Sequence, residues 1–149
     1  MKNRFFHSIL SPALMILVGG FLSVAIFWLL YVGIYLSIEA LFYANDPQSV
    51  PADQMRTVCA VALCLLYLGI FRNRWNETLK ATLFVAPMTT LLISVVLGLY
   101  TRPVIAVIVF VALVGASVFL FFRFKKPWIY YYALVISIVI ALLYAWPTT

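Results

Sequence analysis

The feature that most constrains this chain is an unbroken apolar run from Ile9 to Phe42, in which Glu39 is the only charged residue. The apolar core of a cleaved signal peptide spans about 7–15 residues, so this run predicts a retained membrane helix. A helix over the whole run would be roughly 50 Å long, whereas the hydrocarbon core of a bilayer is about 30 Å thick. Part of the helix must therefore tilt, protrude or lie along an interface. We expect it to begin at Pro12, with Ser11 as its N-cap.

Four more apolar segments follow, and most of the charge lies in the gaps between them. The chain is 66% hydrophobic and 9% charged, unlike a soluble domain, which is nearer a quarter charged. The sequence predicts an all-α integral membrane protein with about five transmembrane helices in a single polytopic membrane domain, 1–149. The predicted spans are about 12–38, 57–71, 81–100, 104–122 and 128–146. The second is short for a crossing, and the prolines in 44–52 predict a loop before it.

The basic residues give this bundle a direction. With the N-terminus in the cytoplasm, eight of the ten Lys and Arg residues fall on the cytoplasmic side, and only Arg56 and Arg102 fall outside. If the short second segment did not cross, this asymmetry would reverse. We therefore expect five spans, a cytoplasmic N-terminus and an outside C-terminus. The expected location is the cell membrane, with the cytoplasmic membrane of a bacterium as the favoured case.

Six cations on the predicted cytoplasmic face are candidates for binding anionic lipid headgroups. Each cation near such a surface contributes roughly 1 kcal/mol of attraction. Because these cations lie between apolar runs, they favour headgroup contact over nucleic-acid binding, and we expect no nucleic-acid partner. The candidates are Arg72, Arg74, Lys80, Arg123, Lys125 and Lys126.

Glu39 belongs to a polar ridge on the first helix. Tyr31, Tyr35, Glu39 and Tyr43 recur at four-residue spacing, which places them along one side of a helix. They are candidates for a polar contact or a substrate path; alternatively, Glu39 reaches the outer headgroups and faces water. The excess length of the helix would then point outward, on the same side as Arg102. An ion pair between Glu39 and Arg102 would hold the first helix against the third and fourth.

Two further patterns concern helix packing. Pro87 in the third span predicts a kink, either static and repaired by nearby hydroxyls or acting as a hinge beside a substrate path. The pairs Gly19–Ser23 and Ala112–Ala116 would each permit close approach of a neighbouring helix.

The other polar residues form no catalytic or metal-binding motif. Asp46, Asp53 and Arg56 are expected in a solvated outer loop. Cys59 and Cys64 are five residues apart, or about 140° around a helix, which prevents a redox pair. The sequon at 76–78 lies on the predicted cytoplasmic side and is interpreted as a helix cap. We expect no metal and no cofactor.

These observations favour a small non-enzymatic membrane protein, a subunit or accessory of a transport or lipid- or polymer-export assembly. Five short helices leave little room for a complete transport path in one chain, so we expect a membrane-protein partner or a homo-oligomer. Two alternatives remain open: a membrane enzyme acting on a lipid, and an immunity or regulatory protein that binds another membrane protein laterally.

Overall fold

The computed structural model of the protein describes residues 2–43 and 51–145, with side chains from His7 onward. Within these residues the chain is helical, and its elements are α1 (Lys2–Phe42), α2 (Ala52–Arg72), α3 (Glu77–Gly98), α4 (Pro103–Arg123) and α5 (Trp128–Ala145). All five helices are long and apolar enough to cross a membrane. The expectation of an all-α bundle of about five membrane helices is confirmed to that extent. Most of the predicted loop, including Asp46, lies outside the described residues.

The central helix is α3, which packs against α1, α2, α4 and α5. Its side chains supply much of the core, with Val85 and Leu92 fully buried, and α5 contributes the fully buried Tyr130. In contrast, α4 is peripheral, since its buried residues are Ala106 and Phe121. Phe110, Leu113 and Val114 are half-buried against the core, and most of the other apolar side chains of α4 face outward, which suits a helix in contact with lipid.

The approach of α1 to α3 is close because α1 carries two adjacent glycines. A Cβ added at Gly19 would lie 2.6 Å from Cγ2 of Thr82, closer than real carbon atoms approach. The expected close approach at Gly19 is therefore present. Ala112 and Ala116 of the other pair are exposed, so they mediate no helix contact within the described chain.

The contacts of Gly19 with Thr82 and of Gly20 with Val85 also set the register of these two parallel helices. In that register α1 overhangs the first residue of α3 by about twelve residues, roughly 18 Å, and its last residue by about seven, roughly 10 Å. The expectation that the excess length points past the C-terminal end of α1 is therefore only partly right. The larger overhang lies at the N-terminal end, because α1 begins at Lys2.

The starts of α1 and α2 differ from the sequence prediction. Pro12 lies inside α1 and Ser11 is not its N-cap, so the helix continues through a position that lacks one backbone hydrogen bond. The start of α2 is at Ala52, five residues before the expected one, and places Asp53 and Arg56 on the helix instead of in a solvated loop. With 21 residues, α2 is about 31 Å long, enough for a full crossing.

The start of α3 confirms the helix-cap interpretation of the sequon. Asn76 is the N-cap residue, and its side-chain oxygen accepts a hydrogen bond from the backbone N–H of Thr78 at 3.1 Å. This cap extends α3 to Glu77, four residues before the expected start. The carboxylate of Glu77 thereby occupies the first turn, where the helix dipole favours a negative charge.

Pro87 is buried inside α3. The hydroxyl of Thr90 donates hydrogen bonds to the carbonyls of Ala86 and Pro87, each at 3.0 Å. A proline deprives the carbonyl four residues earlier, here that of Leu83, of its donor, so Thr90 reinforces the neighbouring turn and does not replace the lost bond. Both interpretations of Pro87, as a static kink and as a hinge, stay predictions.

Candidate functional site

A groove of about 740 Å³ opens between α1, α2, α3 and α5, at the end of the bundle where α1 ends and α2 begins. Its walls are mostly apolar and aromatic, and its rim includes the exposed rings of Phe21, Trp28 and Tyr144. The polar residues of its lining include Tyr31 and Arg56. We refer to it below as the Arg56 groove. Its full lining is Phe21, Val24, Ala25, Phe27, Trp28, Leu29, Tyr31, Arg56, Cys59, Thr90, Ile93, Ile140 and Tyr144.

Among the residues that the structure describes, Arg56 is the only charged one that lines this groove. Its side chain is 24% exposed, and its Nη2 lies 2.8 Å from Oδ1 of Asp53, three residues earlier on the same helix. The carboxylate of Asp53 is 82% exposed, so water screens much of its attraction. The Nε atom of Arg56 is buried without a hydrogen-bond partner among the described residues. The groove therefore contains an Arg side chain in which, among the described residues, one buried N–H donor has no acceptor.

Part of the predicted tyrosine ridge contributes to this site. Tyr31 lines the Arg56 groove, and its hydroxyl donates a hydrogen bond to the carbonyl of Ala52 at 3.4 Å, which ties α1 to the start of α2. The rings of Tyr31 and Tyr35 are 6.4 Å apart between centroids. Tyr43 and Glu39 are half-buried and lie past the level at which α3 ends.

Glu39 and Arg102 lie at the same end of the bundle, but the structure does not bring them together as an ion pair. Within the described residues, carboxylates in ion pairs are those of Asp53 and Glu77. Arg102 is exposed in the turn between α3 and α4 and lies outside the lining of the groove.

A second polar cluster occupies the opposite end, around the carboxylate of Glu77. Its Oε1 lies 3.2 Å from Nζ of Lys80, and its Oε2 lies 3.1 Å from Nζ of Lys126. The hydroxyl of Tyr130 donates a hydrogen bond of 2.6 Å to the same Oε2. Glu77 thus joins α3 to the α4–α5 turn and to α5. We call Glu77, Lys80, Lys126 and Tyr130 the Glu77 cluster.

The backbone after α4 explains how Lys126 reaches this cluster. The N–H of Lys126 bonds the carbonyl of Phe121 at 2.9 Å, and the N–H of Lys125 bonds that of Phe122 at 3.1 Å. With Lys125 at a φ of 49°, this is a Schellman C-cap, which reverses the chain over the last turn of α4. The ammonium of Lys126 then lies 4.4 Å from the ring centroid of Phe71, within the range of a cation–π contact.

The six headgroup candidates therefore divide into two groups. Arg72, Arg74, Arg123 and Lys125 are exposed, and headgroup binding stays a prediction for them. The side chains of Lys80 and Lys126 are only 6% and 16% exposed, and both are bonded to Glu77. These two cations stabilise the junction of the helices and have little surface left for a lipid.

Sequence reasoning missed the roles of Glu77 and Arg56. Glu77 lies in a gap between apolar runs, and its partners Lys126 and Tyr130 are 49 and 53 residues away. The sequence predicts a loop position for Arg56, because the predicted second span begins after it. The one local signal for α2 was the spacing of Asp53 and Arg56, since opposite charges three residues apart face each other on a helix.

Five helices that are each long and apolar enough to cross a membrane define the class of the protein: a multi-pass membrane protein. Comparison with known protein families, curated proteins and solved structures finds no match for this chain. Its function must therefore be inferred from the site itself.

Proposed function

We propose that this protein is a small non-enzymatic membrane component of a transport or lipid- or polymer-export assembly. The observation that carries the proposal is the Arg56 groove. Its volume of about 740 Å³ lies within the roughly 300–1,000 Å³ typical of ligand clefts, and its lining combines apolar and aromatic walls with one cation. Lipids and lipid-linked polymers combine hydrocarbon and an anionic group in the same way. Such a groove can hold and present a substrate without changing it.

The arrangement of polar groups supports binding in preference to catalysis. General acid–base or nucleophilic chemistry requires a reactive group within hydrogen-bond reach of its activating partner. The carboxylate of Glu77 is occupied by Lys80, Lys126 and Tyr130. At the Arg56 groove, Asp53 points largely into solvent and is bonded to Arg56. Both carboxylates act as partners of cations.

The surface of α1 supports membership of an assembly. One face of α1, which we call the Gly33 face, lines a shallow groove to which no other helix of the described chain contributes. Past the level of α3, α1 also exposes large apolar side chains such as Leu41 and Phe42. A helix of a membrane partner, or of a second copy, would cover this surface, and small residues on the face allow close approach. The Gly33 face consists of Ile26, Leu29, Leu30, Gly33, Ile34, Ser37 and Ile38.

We place the Glu77 end in the cytoplasm and the Arg56 groove at the outer side of a bacterial cytoplasmic membrane. The support is the distribution of exposed cations over the five helices. Four of them, Arg72, Arg74, Arg123 and Lys125, lie at the Glu77 end, whereas Arg102 lies at the groove end. Cytoplasmic loops carry the excess of Lys and Arg in membrane proteins.

Deletion in the native host combined with purification in a mild detergent tests this proposal. The deletion should reduce the flux of one exported lipid or lipid-linked polymer, with that substrate accumulating chemically unmodified in the membrane. The wild-type protein should purify with a stoichiometric membrane partner from that pathway or as a discrete homo-oligomer. Unchanged export together with a purely monomeric protein would contradict the proposal, and accumulation of an unprocessed precursor would indicate an enzyme.

Two glycine substitutions make the test of assembly specific. Gly33 on α1 and Gly115 on α4 are both exposed, and an added Cβ at either has nothing within 4 Å. Gly33→Leu should reduce recovery of the partner or oligomer by about tenfold, because a larger side chain blocks a close helix contact worth roughly 1.4 kcal/mol or more. Gly115→Leu is the matched control and should leave it unchanged. Equal effects of both variants would remove the Gly33 face from the interface.

A further inference from the structure

We propose that the Arg56 groove binds one hydrocarbon chain of an anionic phospholipid, with the lipid phosphate on the guanidinium of Arg56. This inference names the ligand class of the site in the proposed function and rests on that function for its biological purpose. The binding itself is a property of the purified protein and can be measured apart from any export assay.

The state of Arg56 is the first reason for an anionic ligand. The side chain of Arg56 is 24% exposed and its Nε is buried without a partner among the described residues, where the hydrogen-bond partner of the guanidinium is Asp53. Buried N–H donors without partners cost free energy, which an added acceptor would recover. The planar guanidinium also matches the paired oxygen atoms of a phosphate group.

The walls of the groove are the reason for a hydrocarbon chain. Val24 and Phe27 of α1, Ile93 of α3 and Ile140 of α5 present apolar surface, with Ala25 as a small residue at the wall. The groove lies along membrane helices, so lipid chains are the apolar molecules present there at highest concentration. A soluble anion would gain nothing from these walls, whereas a phospholipid uses walls and cation together.

Asp53 gives the proposal a distinctive signature. Its carboxylate occupies one edge of the Arg56 guanidinium and would repel an incoming phosphate. Removal of the charge by Asp53→Asn should therefore strengthen binding of an anionic lipid, whereas Arg56→Gln should weaken it. A chain bound by apolar contact alone would respond to neither substitution.

Trp28 supplies the probe, because it lines the groove. The full-length protein, with Trp75, Trp128 and Trp146 replaced by Phe, is reconstituted in phosphatidylcholine bilayers. Brominated phosphatidylglycerol or brominated phosphatidylcholine then quenches Trp28 fluorescence, and their ratio gives the relative affinity at the groove. We expect about fivefold preference for phosphatidylglycerol, the factor that corresponds to roughly 1 kcal/mol for one cation near an anionic lipid.

Variants identify the cause of that preference. Arg56→Gln should bring the ratio to about one, and Asp53→Asn should raise it. Arg102→Gln is the control: it removes an exposed cation at the same end and should leave the ratio unchanged. Ala25→Phe should fill the groove and reduce quenching by phosphatidylglycerol, and Val107→Phe, beside the separate cavity between α3, α4 and α5, is its control. Equal effects of Arg56→Gln and Arg102→Gln would overturn the proposal in favour of general surface charge.

The outcomes also separate this inference from the proposed function. A wild-type ratio of one overturns the lipid site even if a partner and an export defect are found. A ratio that depends on Arg56, without any export defect or assembly, supports the lipid site and overturns the proposed function. If Arg56→Gln fails to fold, the increase expected for Asp53→Asn still decides the question, since an unchanged ratio there contradicts the proposal.

Discussion

Charged residues near the membrane differ in what they do, and Glu39 and Glu77 show the difference. Glu39 attracts attention in the sequence because it is the only charge in a long apolar run, yet the structure shows no hydrogen bond or ion pair for its carboxylate among the described residues. Glu77 lies in a polar gap and bonds two cations and a tyrosine. The tyrosine ridge was predicted as a line of residues on α1; only contact with α2 shows that Tyr31 belongs to a groove.

We expect Glu77→Gln to lower the free energy of unfolding by about 1–3 kcal/mol, less than for a fully buried pair because Glu77 is 42% exposed. The amide can still accept a hydrogen bond from Tyr130, but it leaves the buried ammonium of Lys80 without its anion. Thermal unfolding in detergent, followed by size-exclusion chromatography, would measure the change. Glu39→Gln is the control and should shift the midpoint temperature of unfolding little. Equal shifts for both variants would show that the Glu77 cluster contributes no specific stability.

Among the helices, α1 and α3 approach each other closely at the glycines of α1. Apolar composition predicts that both helices enter a membrane, but it does not select their contact, because lipid is as apolar as the side chains. The glycine pair at 19–20 allows the backbones to approach, and the register that follows decides how far α1 extends past each end. The sequence identified Gly19 as a candidate and could not distinguish it from Ala112, which is exposed.

Gly19→Ala tests this contact. We expect it to destabilise the bundle by about 1–3 kcal/mol, since the added methyl would lie 2.6 Å from Cγ2 of Thr82, a β-branched side chain with little freedom to move. The same thermal assay applies. Gly33→Ala, where the methyl has nothing within 4 Å, should be neutral or stabilising by up to about 1 kcal/mol, because alanine favours a helix more than glycine does. A neutral result for Gly19→Ala would mean that α1 and α3 adjust at little cost.

Over the whole molecule, the five helices separate two ends of different chemistry. One end has four exposed cations and the internally bonded Glu77 cluster, and the other has the Arg56 groove. Each helix runs antiparallel to the helices before and after it in the sequence. The orientation of one helix in the membrane therefore determines the orientation of all the others.

Cysteine labelling tests the orientation proposed above. In a Cys59→Ala, Cys64→Ala background, single cysteines replace Asn73 and Thr101, which are exposed at opposite ends and carry no charge. Thr101→Cys should react with a membrane-impermeant maleimide in intact cells, and Asn73→Cys only after the membrane is disrupted. The reverse pattern would invert the orientation, and reaction of both in intact cells would contradict the crossing of α3, which lies between the two labelled positions.

The amino-acid sequence by itself determined that the chain forms five apolar helices, because hydropathy and helix length are local properties that can be read segment by segment. It also predicted the cap at Asn76. Only the tertiary structure decided that α3 is central, that Glu77 is the carboxylate with partners, and that Arg56 lines a groove. Those properties depend on residues distant in the chain, and in a membrane small differences in packing and hydrogen bonding, which hydropathy does not encode, select among the arrangements.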